Sequence, residues 1–251
     1  MIQLGRDKHM KKLIGGAIMK KILLIGDSVR LGYDIYVEEA LKGVAKLYYP
    51  NENCMYAQHV LRFLDIWKGA LKIDEDLDLI HWNTGLWDCL IMDNDGPLTP
   101  IDTYGQFIER ICKRIKILFP NAKAIFATST NTVESRYDNP KVAYRKNSIT
   151  EEYNKVAVEI VKKYGHDVND LFEATKDIDD SYFVDSSHPY TEKGTILLVE
   201  RVLSSIKSSL DLDIDVDVTA LVKGIQSKID MTKDSVNIVG QLRDLKGELG
   251  I

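Results

Sequence analysis

"MKKILLIGDSVRLGYD", residues 19–34, is the stretch on which the fold turns. Lys20 and Lys21 lead into the unbroken apolar run Ile22-Leu23-Leu24-Ile25, which predicts a strand buried on both faces. The run breaks at Gly26-Asp27-Ser28, residue types that ordinarily make turns. A serine at such a break is a nucleophile only if a base, an orienting group and an oxyanion site come from elsewhere in the chain.

Outward from that run, strand and helix patterns alternate. Residues 44–49, 77–82 and 122–130 predict further strands, and "HDVNDLF" (166–172) a short strand or a strand-to-helix turn. Helices are predicted over 32–41, 58–71, 101–119, 149–164 and 191–210, with Thr150 and Thr191 as caps. The clearest is 101–119, where Tyr104, Phe107, Ile108, Ile111, Ile115 and Leu118 share one face. Such alternation implies an α/β domain with a parallel sheet and helices on both faces. Ligands then sit at the carboxyl ends of the strands, here 26–28, 83–88 and 128–130, where polar residues crowd.

The 251 residues suffice for a sizeable core, and 45% hydrophobic with 28% charged residues is ordinary for a globular chain. A net charge of -5 with scattered Lys and Arg gives no footprint for nucleic acid. Three cysteines without a CxxC pair suggest neither a disulfide framework nor a zinc site, so no metal or cofactor is expected. No apolar run approaches bilayer length, and no membrane partner is expected. Residues 1–18 start basic, but their apolar part is short and no small-residue cleavage site follows. They read as a loose extension ahead of a domain over 19–210, and with free thiols the expected location is cytoplasmic. After residue 210 the character changes. "DLDIDVDV" (211–218) lacks the glycine and the downstream glutamate of a calcium loop, and reads as a linker or edge strand. The rest of the C-terminal extension, to residue 251, fits a helix or hairpin packed on the domain or on a second subunit.

A hydrolytic serine needs a histidine. His9, His59, His81 and His166 read as structural or uninformative from their positions. His188 differs: it lies in "YFVDSSHPYTEKG", three residues after Asp185 and just before a helix. A D-x-x-H spacing in a loop lets the carboxylate fold back on Nδ1, leaving Nε2 to accept a proton. A decorated helix entrance is the competing reading of the same residues.

"GDS" after the first strand, paired with "DSSH" before the last helix, resembles the SGNH (GDSL-type) hydrolase superfamily over about residues 20–210. "HWNTGLWD" (81–88) is similar to that family's third block, and "YRKNSITEEYNKVA" to a subgroup of bacterial acyl-ester hydrolases. The resemblance implies a flavodoxin-like, three-layer α/β/α fold with about five parallel strands. It implies Ser28 as nucleophile, His188 as general base and Asp185 as its orienter. The family's oxyanion donors are the serine N–H, a second-block glycine N–H and a third-block asparagine amide. This chain departs from the last two. Asn53 or Cys54 stands in the second-block region, and Asn83 or Trp87 is left to replace the asparagine. Asp27, Gly85 and Asp88 are expected to hold the loops, and Arg145 and Asn147 to contact substrate. Tyr33, Tyr137 and Tyr144 are candidates to line a sugar-sized pocket.

With no apolar lid visible in the sequence, the expectation is a serine esterase removing a short acyl group, acetyl first, from a carbohydrate or other polar small molecule. The alternatives are acyl transfer to a sugar hydroxyl, or carbohydrate binding on a hydrolase fold without catalysis.

Overall fold

The structure, a computed structural model, describes residues 19–74, 76–137 and 142–250. The expected extension over 1–18, with His9, lies outside the described residues.

Strand β1 (Lys20–Ile25) is followed by the short helix α1 (Ser28–Leu31), then α2 (Asp34–Ala40) and β2 (Ala45–Tyr48). Helix α3 (Ala57–Ala70) leads to β3 (Leu79–Trp82), the two-residue β4 (Ile91–Met92), α4 (Ile101–Leu118) and β5 (Lys123–Ala127). Then come β6 (Ala143–Tyr144), α5 (Asn147–Lys163), β7 (Asp167–Asn169), α6 (Leu171–Ala174) and α7 (Glu192–Leu210). The C-terminal segment forms α8 (Val218–Gln226) and α9 (Ser235–Leu249).

Five parallel strands make one sheet in the order β2-β1-β3-β5-β7. This is the doubly wound order whose direction reverses between β1 and β3, and the crevice there is the expected ligand site. The β1 run explains its central place. Ile22 and Leu24 face one helical layer while Leu23 and Ile25 face the other, and all four are fully buried. The first layer holds α2, α7, α8 and α9; the second holds α3, α4 and α5.

Three local expectations change. Thr150 does not cap its helix, which begins earlier, at Asn147; its hydroxyl bonds back to the Lys146 carbonyl at 3.2 Å. Thr191 does cap α7, accepting from the Gly194 N–H. The polar loop after β5 contains β6, paired antiparallel with β4, which ties the loops after β3 and β5 together. "DLDIDVDV" forms no strand but an extended linker, its aliphatic side chains packed on the first layer and its aspartates exposed.

The C-terminal helices close over that same layer. Val222 and Ile225 of α8 and Ile238, Leu242 and Leu245 of α9 are buried within the chain. No helix among the described residues is long and apolar enough to cross a membrane.

Candidate active site

Ser28 opens α1, with Asp27 as N-cap accepting the Val29 N–H at 3.0 Å. As the first residue of the helix it has no intrahelical acceptor for its own N–H. Asp27 is fully buried, and burial raises its pKa against the opposing pull of Asn83, the Val29 N–H, Arg145 and His188.

The second half of the site, Asp185 and His188, comes from the far end of the domain, just before α7. His188 Nδ1 lies 2.8 and 2.7 Å from the two Asp185 oxygens. Asp185 Oδ1 also accepts the backbone N–H groups of Ser187 and His188, at 2.8 and 2.9 Å. Burial pushes this carboxyl up, but His188, the Ser187 N–H and the Ser235 hydroxyl outweigh it and hold it well below the usual range. The carboxylate therefore fixes the imidazole with Nε2 turned to whatever needs a base. Arg136 staples the loop from outside, donating to the Phe183 and Asp180 carbonyls at 3.0 Å each.

Tyr190 joins the two halves. Its hydroxyl donates to the Ser28 carbonyl, and its ring lies on Gly32, where a Cβ would sit 2.0 Å from Cε1. Ser28 and His188 line one cavity of about 560 Å³, shared with Asn53, Trp87, Tyr137 and Arg145 among others.

The expected oxyanion donors separate. The Cys54 N–H is already spent on the Gly26 carbonyl at 3.1 Å, and its thiol is fully buried, so Cys54 has no backbone donor to offer. Asn83 is buried with its Oδ1 where a Cβ on Gly26 would be, 2.0 Å away, and its side chain is not among those lining the cavity. Trp87 does line it. So does Asn53, whose Oδ1 accepts the Met55 N–H at 2.9 Å while its Nδ2 donates to none of the described residues.

The supporting residues are also placed. Asp88 receives the Ala57 N–H at 3.0 Å and the Thr84 hydroxyl at 3.0 Å, so it caps α3 from a neighbouring loop. Gly85 opens the same turn, its carbonyl accepting the Cys89 N–H at 2.8 Å. Arg145 reaches the cavity, donating to the Leu86 carbonyl and, at 3.3 Å, lying beside the Ser187 hydroxyl. Asn147 does not: its amide is spent on both backbone groups of Thr132. Tyr137 lines the cavity, Tyr144 does not, and Tyr33 is fully buried edge-on to His81.

Sequence reasoning missed Arg30. It is fully buried behind Ser28, paired with Asp34, and donates to the Pro50 carbonyl at 2.8 Å and to the Glu52 carbonyl. Asp34 in turn takes a two-pronged bond from Arg243 of α9, 2.7 Å on each side. Arg30 thus braces the loop that presents Asn53.

Titration of the buried groups runs in opposite directions. Burial lifts Asp88 to about 6, against hydrogen bonds from Thr99, Ala57 and Thr84, and pushes His81 down to about 4. A carboxyl whose folded value lies above its unfolded one favours folding at low pH, and that contribution is lost as pH rises from 3.8 to about 6. A histidine held neutral does the reverse, losing stability as pH falls from 6.5 to about 4. Asp88→Asn removes the compensating group, so its melting temperature should fall more steeply than the wild type's as pH drops from about 6 towards 4. Parallel profiles for the two proteins would refute this assignment.

No family model matches the chain, and no curated protein matches its sequence. Solved structures do. A lipase/acylhydrolase from Enterococcus faecalis is 20% identical with a TM-score of 0.58, covering 79% of this chain and 100% of its own. An acetyl xylan esterase is 16% identical with a TM-score of 0.55, covering 74% of this chain and 99% of its own. A GDSL-like lipase from Bacteroides thetaiotaomicron is 13% identical with a TM-score of 0.55, covering 81% and 97%. At these identities the likeness establishes the architecture: the chain has the three-layer fold of the SGNH (GDSL-type) hydrolases.

Proposed function

We propose that the protein is a carboxylic ester hydrolase working through an acyl-serine. The observation that carries this is one cavity lined by both Ser28 and an imidazole clamped by Asp185. Ser28 Oγ attacks the ester carbonyl while His188 Nε2 takes the hydroxyl proton. The tetrahedral intermediate collapses with cleavage of the bond to the alkoxy oxygen, which leaves with the proton from His188. Water, deprotonated by the same nitrogen, then releases the acid and regenerates Ser28.

The oxyanion needs donors fixed before the charge develops. The Ser28 N–H and the Asn53 amide meet that condition best, because Met55 already holds the Asn53 carbonyl end in place. Asn53→Ala should lower kcat by about a hundredfold or more, as loss of one such donor does. Trp87→Phe should have the smaller effect; if it proves the larger in kcat, the indole is the donor and Asn53 is not.

Some structural neighbours are acetyl xylan esterases and others are lipases or acylhydrolases, so the substrate class they support in common is the carboxylic ester. Transfer of the acyl group to a sugar hydroxyl uses the same intermediate, and product analysis with an added alcohol separates it from hydrolysis. The deciding experiment is covalent labelling of Ser28 by a fluorophosphonate together with turnover of activated esters. A protein that binds sugars but neither labels nor turns over is a binding protein on this fold.

A further inference from the structure

Helix α9 carries apolar residues on two faces. Ile238, Leu242 and Leu245 recur at helical spacing and are buried on the first layer. Val236 and Val239, three apart, line the cavity beside Ser28; Val239 also packs on the first layer, while Val236 is 79% exposed. None of the described residues covers Val236. Leu31 from α1 and Leu86, Trp87 and Leu90 from the turn after β3 complete the same wall. Six apolar side chains from three distant segments therefore surround the approach to the serine.

The wall is fixed in place. Arg243 grips the buried Asp34, Lys246 pairs with Glu38 at 3.2 Å, and Lys42 donates to the Leu249 carbonyl at 2.7 Å. At its other end α9 presents Ser235 to Asp185. The C-terminal segment thus reaches both the catalytic dyad and the cavity it opens on.

We infer that this wall is an acyl-chain site, and that the preferred substrates carry an aliphatic acyl group several carbons long rather than acetyl. The inference rests on the ester-hydrolase reading. An acetyl group fills little of a cavity of about 560 Å³; Asn53, Tyr137, Arg145 and Ser187 give that cavity polar groups, but the wall of Leu31, Leu86, Leu90, Val236 and Val239 offers none to a sugar hydroxyl. That wall offers an alkyl chain the burial that Val236 lacks within the protein.

The test compares p-nitrophenyl acetate, butyrate and octanoate on wild type, Val236→Asp and Val236→Leu. The exposed position tolerates both replacements, which melting temperatures verify. The wild type should show a higher kcat/KM for octanoate than for acetate. In Val236→Asp the octanoate-to-acetate ratio should fall on the order of tenfold, because a few methylenes lose an apolar contact. Val236→Leu should keep the ratio. Equal ratios in wild type and Val236→Asp, or a wild-type preference for acetate, overturn the acyl-chain site. Absence of turnover with every ester and of Ser28 labelling overturns the hydrolase reading instead.

Discussion

Ser28→Ala should cost roughly a millionfold in kcat on an activated ester, the scale seen when one member of a concerted nucleophile–base unit is removed. His188→Ala should cost about the same, and the double variant no more, because the two act as one device. Asp185→Asn should lose roughly ten-thousandfold: an amide cannot hold the imidazole with Nε2 free for the proton. What remains in each variant is the contribution of oxyanion donors and binding. The Ser28 hydroxyl donates to none of the described residues, so Ser28→Ala should leave stability within about 0.5 kcal/mol. Burst kinetics of p-nitrophenol release and thermal unfolding, run on the same preparations, check both halves. Wild-type rates surviving Ser28→Ala would remove the serine mechanism altogether.

The largest effect on stability is expected at Asp34. This carboxylate is fully buried between Arg30 and Arg243 and is shared by both guanidinium groups. Removing it leaves a buried arginine without its counter-charge, a change that typically costs about 3–5 kcal/mol. Asp34→Ala should therefore unfold at much lower urea concentration than wild type. Replacing Arg243 instead should cost less, since its side chain is 16% exposed and Arg30 still neutralises Asp34. Activity should fall along with stability in Asp34→Ala, because Arg30 positions the Pro50 and Glu52 carbonyls on either side of the loop that bears Asn53. Chemical unfolding curves for the two variants separate these contributions. An Asp34→Ala protein as stable as wild type would mean the pair is solvated and not buried as described.

How much of this was legible in the sequence follows from the range of the interactions involved. The β1 run could be read because its alternation into two layers is written in four consecutive apolar residues. The Asp185–His188 pair could be read because its partners are three positions apart, and the loop closes on itself. The cavity wall could not. Leu31, Leu86 and Val236 come from segments far apart in the chain, and only the fold brings them to one surface. That is why the sequence suggested no apolar site and pointed to a polar, acetylated substrate. Arg30 and Asp34 look like an ordinary pair one helical turn apart; a partner 209 positions away is what shuts out water. The expected Cys54 donor failed for a related reason. Its N–H is claimed by the Gly26 carbonyl, a loop-to-loop register that no single segment encodes.

The Tyr190 ring resting on Gly32 bears on how the molecule could diverge. The Tyr190 ring, laid against bare backbone at Gly32 with its hydroxyl on the Ser28 carbonyl, stands between the serine and histidine halves. Neither partner does any chemistry, yet together they act as a spacer. A lineage could thus lose the proposed reaction while keeping Ser28, Asp185 and His188 intact, by acquiring a single methyl group at position 32.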